Sequence, residues 1–177
     1  DPVLSKLDET RAFIAVNQLT GQLATLIVMR YPDRASANGH VEITELLLKQ
    51  KDELFKTSPS ISIDEVVYEN GIGPDNAFPG LYCQKKVTAN GNKQTVTLHC
   101  GSAKTVAFEF TLIDVNMKRE VQDAYAALTV VHLLGKDTTE YAAKAKELSG
   151  HTPKDAGGHE APDKGASDEN DSEDADK

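Results

Sequence analysis

The reversal at Asn90-Gly91-Asn92 constrains this chain more than any other feature. It lies between two alternating runs, Leu81 to Ala89 and Lys93 to Cys100, and Asn-Gly between such runs is a strong hairpin signal because both residues tolerate positive φ. Taking Asn90 to Lys93 as a four-residue loop sets Ala89 opposite Gln94, Val87 opposite Val96, Lys85 opposite Leu98 and Cys83 opposite Cys100. Opposed Cα atoms of a non-hydrogen-bonded antiparallel pair lie about 4.5 Å apart, within disulfide reach, so a Cys83–Cys100 bridge is expected. The same register puts Leu81, Val87, Ala89, Val96 and Leu98 on the cysteine side and Tyr82, Gln84, Lys86, Thr88, Thr95, Thr97 and His99 on the other. One buried and one wet face follow, with Lys85 as the misfit at an edge where its ammonium escapes.

A cross-strand bridge implies an oxidising compartment and stabilises by roughly 3 kcal/mol. The chain begins at Asp1 rather than Met, as after removal of a signal peptide or trimming, and its most apolar run, near Leu23 to Met29, is shorter than the roughly 20 residues that span a bilayer. A secreted protein without membrane insertion is therefore expected. The alternative is a cytoplasmic chain whose two thiols are small buried hydrophobes.

Periodicity elsewhere points to helices before the sheet. Asp1 and Pro2 suit the cap and first position of a helix, and Phe13, Val16, Leu19, Leu23, Leu26 and Ile27 recur at helical spacing until Tyr31-Pro32-Asp33, with Gly21 as the weak point. A turn at Ser36 to Gly39 precedes a second helix from Val41 to Phe55, which Ser58-Pro59 ends. Ile61 to Tyr68 is a strand whose alternation slips once, as at a bulge. Asn70 to Gly80, rich in Gly and Pro, is a loop, and a fourth strand runs from about Lys104 to Val115. Met117 to Leu134 suits helix or strand, helix being favoured, and Thr139 to Leu148 is a short helix ending at Gly150.

The fold class expected is thus α+β: N-terminal helices packed on a curved antiparallel meander of about four strands, then a C-terminal helix, in one domain over 1–150. That order of elements resembles the helix-wrapped rolls of the cystatin and nuclear-transport-factor-2-like groups. The resemblance is architectural and implies no activity, since no Q-x-V-x-G inhibitory motif is present. Residues 151–177 form an acidic tail with no large apolar side chain, expected to be disordered. Of the formal charge of −9, the nine acids and three lysines from His151 onward carry −6, leaving a body only mildly acidic. Such a body lacks the basic excess that nucleic acid or anionic lipid requires.

No phosphate-loop, dinucleotide, zinc-protease, nucleophile-elbow or EF-hand signature occurs. His40, His99, His132, His151 and His159 are scattered, so no metal or cofactor is expected, and a catalytic His99 requires a carboxylate such as Glu109 across the sheet. Asn170-Asp171-Ser172 fits a glycosylation acceptor. The reading that follows is a secreted, non-enzymatic binding module for a protein or small ligand. Its recognition surfaces are the loop residues Asn70, Gly71, Ile72, Gly73, Pro74, Asp75, Asn76 and Phe78, or the polar sheet face of Tyr82, Gln84, Lys86, Thr95, Thr97 and His99. The alternatives are a small hydrophobic-ligand carrier or enzyme with a pocket between sheet and helices, and an intracellular acidic-tailed chaperone-like protein with reduced cysteines.

Overall fold

The computed structural model describes residues 8–150; the expected helix cap at Asp1, the tail and Asn170 lie outside the described residues. Six antiparallel strands form one sheet: β1 (Glu9–Asn17), β2 (Gln22–Arg30), β3 (Ile61–Ile72), β4 (Phe78–Ala89), β5 (Asn92–Ala103) and β6 (Val106–Ile113). Their order is β1-β2-β6-β5-β4-β3. Helix α1 (Arg34–Phe55) connects β2 to β3, while α2 (Arg119–Leu133) and α3 (Thr139–Ser149) follow the sheet. The class is α+β, but the expected four-strand meander behind N-terminal helices is wrong.

The largest error is the first helix. Thr10 to Met29 forms a β-hairpin instead, with Asn17 paired to Gln22. Gly21 sits at φ 72°, which no right-handed helix admits, and its N–H donates to the Asn17 carbonyl at 2.8 Å. The β-branched residues Thr10, Ile14, Val16, Thr25, Ile27 and Val28 suit strands, and that preference outweighs a helical stripe that also contains period-two alternation. β1 is an edge strand, so Phe13 and Val16 of the apparent stripe remain exposed, as does Ile14 between them.

α1 also begins earlier than expected. Asp33 accepts from the Ser36 N–H at 2.7 Å, capping a helix that runs through the anticipated turn at Ser36 to Gly39. β3 carries bulges after Ile63 and after Asn70. The anticipated loop from Asn70 to Gly80 is mostly strand, since Ile72 pairs with Phe78 around a single turn of 3-10 helix at Pro74–Asn76. The ambiguous segment after Met117 is helical, as α2.

At the central reversal Asn90 and Gly91 take φ 50° and 82°, and Ala89 pairs with Asn92. The loop has two residues rather than four, because two consecutive positive φ angles build the mirror-image turn whose twist matches the strands. Register therefore shifts by two: Cys83 faces Leu98, and Cys100 faces Leu81. Diagonal neighbours of this kind lie about 7–8 Å apart at Cα, beyond disulfide reach, and both cysteines are free. The oxidising-compartment argument from these residues fails with it. A shift of two keeps each side chain on its assigned face.

Both faces of the sheet are covered. On one, Leu81, Cys83, Leu98 and Cys100 pack with Val41 and Leu48 of α1, and Met29, Tyr31, Ala37 and Ala107 form a neighbouring cluster. On the other, Ile72 and Phe108 pack with Ala126 and Val130 of α2. Gly101 is required there, since a Cβ would stand 2.5 Å from Ile72 Cδ1 and 2.8 Å from the Phe108 ring. Among the described residues no helix is long and apolar enough to cross a membrane.

Candidate ligand-binding cleft

A cleft of about 680 Å³ opens at the end of the sheet where β5 turns into β6. Four segments meet there: the first turns of α1, the start of β4, the β5–β6 turn and the last turn of α2. Val41, Phe78, Ala103, Val130 and Leu134 make its lining largely apolar. Its volume lies within the range of small-molecule sites, which are mostly apolar with a few placed polar groups.

Two of the polar groups here are cationic. Arg34, in the first turn of α1, and Lys104, at the tip of the β5–β6 turn, both line the cleft, and neither has a carboxylate partner among the described residues. Lys104 adopts φ 56°, and its Nζ lies 3.8 Å from where a Cβ on Gly135 would stand, beside the end of α2. The free carbonyls and dipole of a helix C-terminus favour a cation in that place. Glu42 is the acid of the lining, and Ser102 Oγ donates to Asn38 Oδ1 at 2.7 Å, which turns the hydroxyl away from any base.

The recognition surfaces anticipated from sequence are placed differently. In the loop, Gly71, Ile72 and Gly73 are buried, Pro74 is half-buried, and Asn70, Asp75 and Asn76 are exposed, while Phe78 joins the cleft. On the supposed wet face, Tyr82, Thr97 and His99 are buried, Gln84 and Thr95 are half-buried, and Lys86 is exposed and paired with Glu65. Where Tyr82 and His99 lie, the face is polar because it meets polar side chains of α2 rather than water. Arg119 of α2 stacks 3.3 Å from the Tyr82 ring centroid and pairs with Asp123 at 2.9 Å and Glu69 at 3.0 Å.

His99 is fully buried against that network. Its Nε2 contacts Gln122 Oε1 at 3.2 Å, and its Nδ1 has no hydrogen-bond partner among the described residues. Burial, with the nearby Arg119 charge adding to it, lowers its pKa to about 4, so the ring is neutral near pH 7. Glu109, its imagined partner, lies on the opposite face beside α1 and contacts His40 Nε2 at 3.0 Å. Lys85 is likewise no edge residue. It is buried on the α1 face, where its ammonium and the Tyr68 hydroxyl both donate to the Asp52 carboxylate.

Burial pushes the Cys83 thiol up to about 11 and raises that of Cys100 further. Thiols held protonated and inaccessible react slowly. We expect both cysteines to resist a thiol-specific reagent in the native protein near pH 8 and to react together, two per chain, once denaturant is added. Rapid labelling of either without denaturant contradicts the packing described here.

No protein-family model matches the chain, and no curated protein matches it. Among solved structures it is similar to the extracellular domain of PknH from Mycobacterium tuberculosis, with 11% identity and a TM-score of 0.48 over 77% of this chain and 70% of that one. A likeness of that size transfers no activity or partner to this chain. The cleft was not legible in the sequence. Arg34 and Lys104 stand far apart in the chain, and only the fold brings them to one mouth.

Proposed function

We propose that this chain is a non-enzymatic binding module that takes a small amphipathic anion, with its apolar body in the cleft and its carboxylate or phosphate held between Arg34 and Lys104. One observation carries the reading: two cations, one from α1 and one from the β5–β6 turn, line one largely apolar cavity, and neither is paired with a carboxylate among the described residues, Glu42 of the same lining included. Unpaired cations beside apolar walls attract an anion more strongly than they would in open water, because the walls lower the local dielectric. The same observation favours the ligand-carrier alternative over recognition by the Asn70 to Gly80 loop.

Decanoate is a suitable probe because decanol has the same apolar body without the charge. Calorimetry is expected to show decanoate binding at least about tenfold more tightly than decanol, since a charged hydrogen bond contributes about 1.5–3 kcal/mol. Arg34→Gln and Lys104→Gln should each weaken decanoate by about tenfold and leave decanol unchanged. Equal affinities for the two probes, or an Arg34→Gln/Lys104→Gln double variant with native affinity for decanoate, would exclude this reading.

A further inference from the structure

Cys100 and Glu109 are cross-strand partners on β5 and β6 and face α1. His40 of α1 meets them there, and the three side chains bring one ligand atom each to within 4.8 Å of one another. Among the described residues no other trio of His, Cys, Asp or Glu is so grouped. The Tyr31 hydroxyl engages His40 Nδ1 at 3.0 Å, which leaves Nε2 facing Glu109 Oε1, also at 3.0 Å. Thr44 Oγ1 lies one helical turn along, 3.2 Å from the same carboxylate oxygen and 3.4 Å from Nε2.

We propose that His40, Cys100 and Glu109 form a zinc site, with Tyr31 fixing the imidazole and Thr44 or a water completing a tetrahedron. The donor set decides the metal. One nitrogen, one sulfur and one oxygen suit a borderline-soft ion, whereas magnesium and calcium take oxygen alone. Metal bonds of about 2.0–2.3 Å place tetrahedral ligands roughly 3.3–3.8 Å apart, so the trio need close by only about 1 Å. The outer contact from Tyr31 to the second ring nitrogen is the arrangement that orients a ligating histidine. Binding displaces the thiol proton, which leaves to solvent as one hydron per Zn²⁺, while the imidazole carries its single proton on Nδ1, toward Tyr31, and gives its Nε2 lone pair to the ion. Glu109 keeps 24% of its side chain exposed, which gives the ion a way in. The site lies on the α1 face and stands apart from the claim about the cleft.

The test titrates the full chain with Zn²⁺ and, as a spectroscopic replacement, Co²⁺. One equivalent should bind, with a thiolate-to-cobalt charge-transfer band that is kept in Cys83→Ser and lost in Cys100→Ser. Loss of a ligand should weaken binding by more than about 100-fold, and Tyr31→Phe by roughly 10–100-fold. Should Cys100→Ser fail to fold, Glu109→Gln supplies the same readout through weakened zinc binding and a shifted cobalt band. No stoichiometric binding overturns the proposal. So does binding without the thiolate band, or binding unchanged in Cys100→Ser and Glu109→Gln, which would place the ion elsewhere, as on His151 and His159.

Discussion

Replacing Lys85 with methionine is expected to destabilise the protein by about 3–5 kcal/mol, because Asp52 then remains as a buried carboxylate without its cation. Lys85 and Asp52 both have side chains only 9% exposed, and the Tyr68 hydroxyl is the carboxylate's other donor. Asp52→Asn should cost a similar amount by stranding the ammonium. A Lys85→Met/Asp52→Leu double variant should recover most of the loss, since a buried ion pair contributes little net stability against apolar residues of similar size. Denaturant midpoints at unchanged slope measure all three. A double variant as unstable as the sum of the singles would show that the pair is not the isolated unit described.

Acid is expected to unfold the protein through His99. The ring is buried and its pKa is lowered to about 4 from the ordinary 6.5, so between those values the unfolded chain binds a proton that the folded chain refuses. Stability tied to this residue is therefore complete above pH 6.5 and falls as pH drops toward 4, by roughly 3 kcal/mol in total. Glu109, whose carboxyl is held low chiefly by the hydrogen bond from His40, adds to the acid loss at lower pH. His99→Gln isolates the histidine's share. Its unfolding free energy should fall less steeply than that of the parent between pH 6.5 and 4, and parallel profiles would show that His99 is not held neutral.

Much of the sheet's interior was legible in the sequence. The Asn90-Gly91 turn, the strands on either side and the sorting of Cys83 and Leu98 from Tyr82 and His99 all follow from alternation, and a register error of two residues leaves that sorting intact. Opposition of two particular atoms is more demanding, and the disulfide failed because the loop is two residues long. The N-terminal hairpin was missed for a different reason. Phe13, Val16 and Leu19 make a convincing helical stripe only when they are assumed to be buried, and on an edge strand and the turn that follows it they are exposed. Polarity misled similarly at Tyr82 and His99, whose partners lie on α2, and at Thr97, whose hydroxyl accepts from Gln84 on β4, rather than in solvent. No local pattern announces that a later helix will bring Arg119 and Gln122 over them. The cleft and the His40–Cys100–Glu109 cluster share this character, since both are assembled by the crossover of α1 between distant strands.

The cleft's role is tested most directly by amide chemical shifts recorded as decanoate is added to the full chain. Perturbations are predicted to concentrate at Arg34 to Glu42, Phe78 to Gly80 and Ser102 to Thr105, and to fade in the Arg34→Gln/Lys104→Gln variant. Shifts clustered on the β1 edge, or none at ligand concentrations that saturate calorimetric binding, would contradict it.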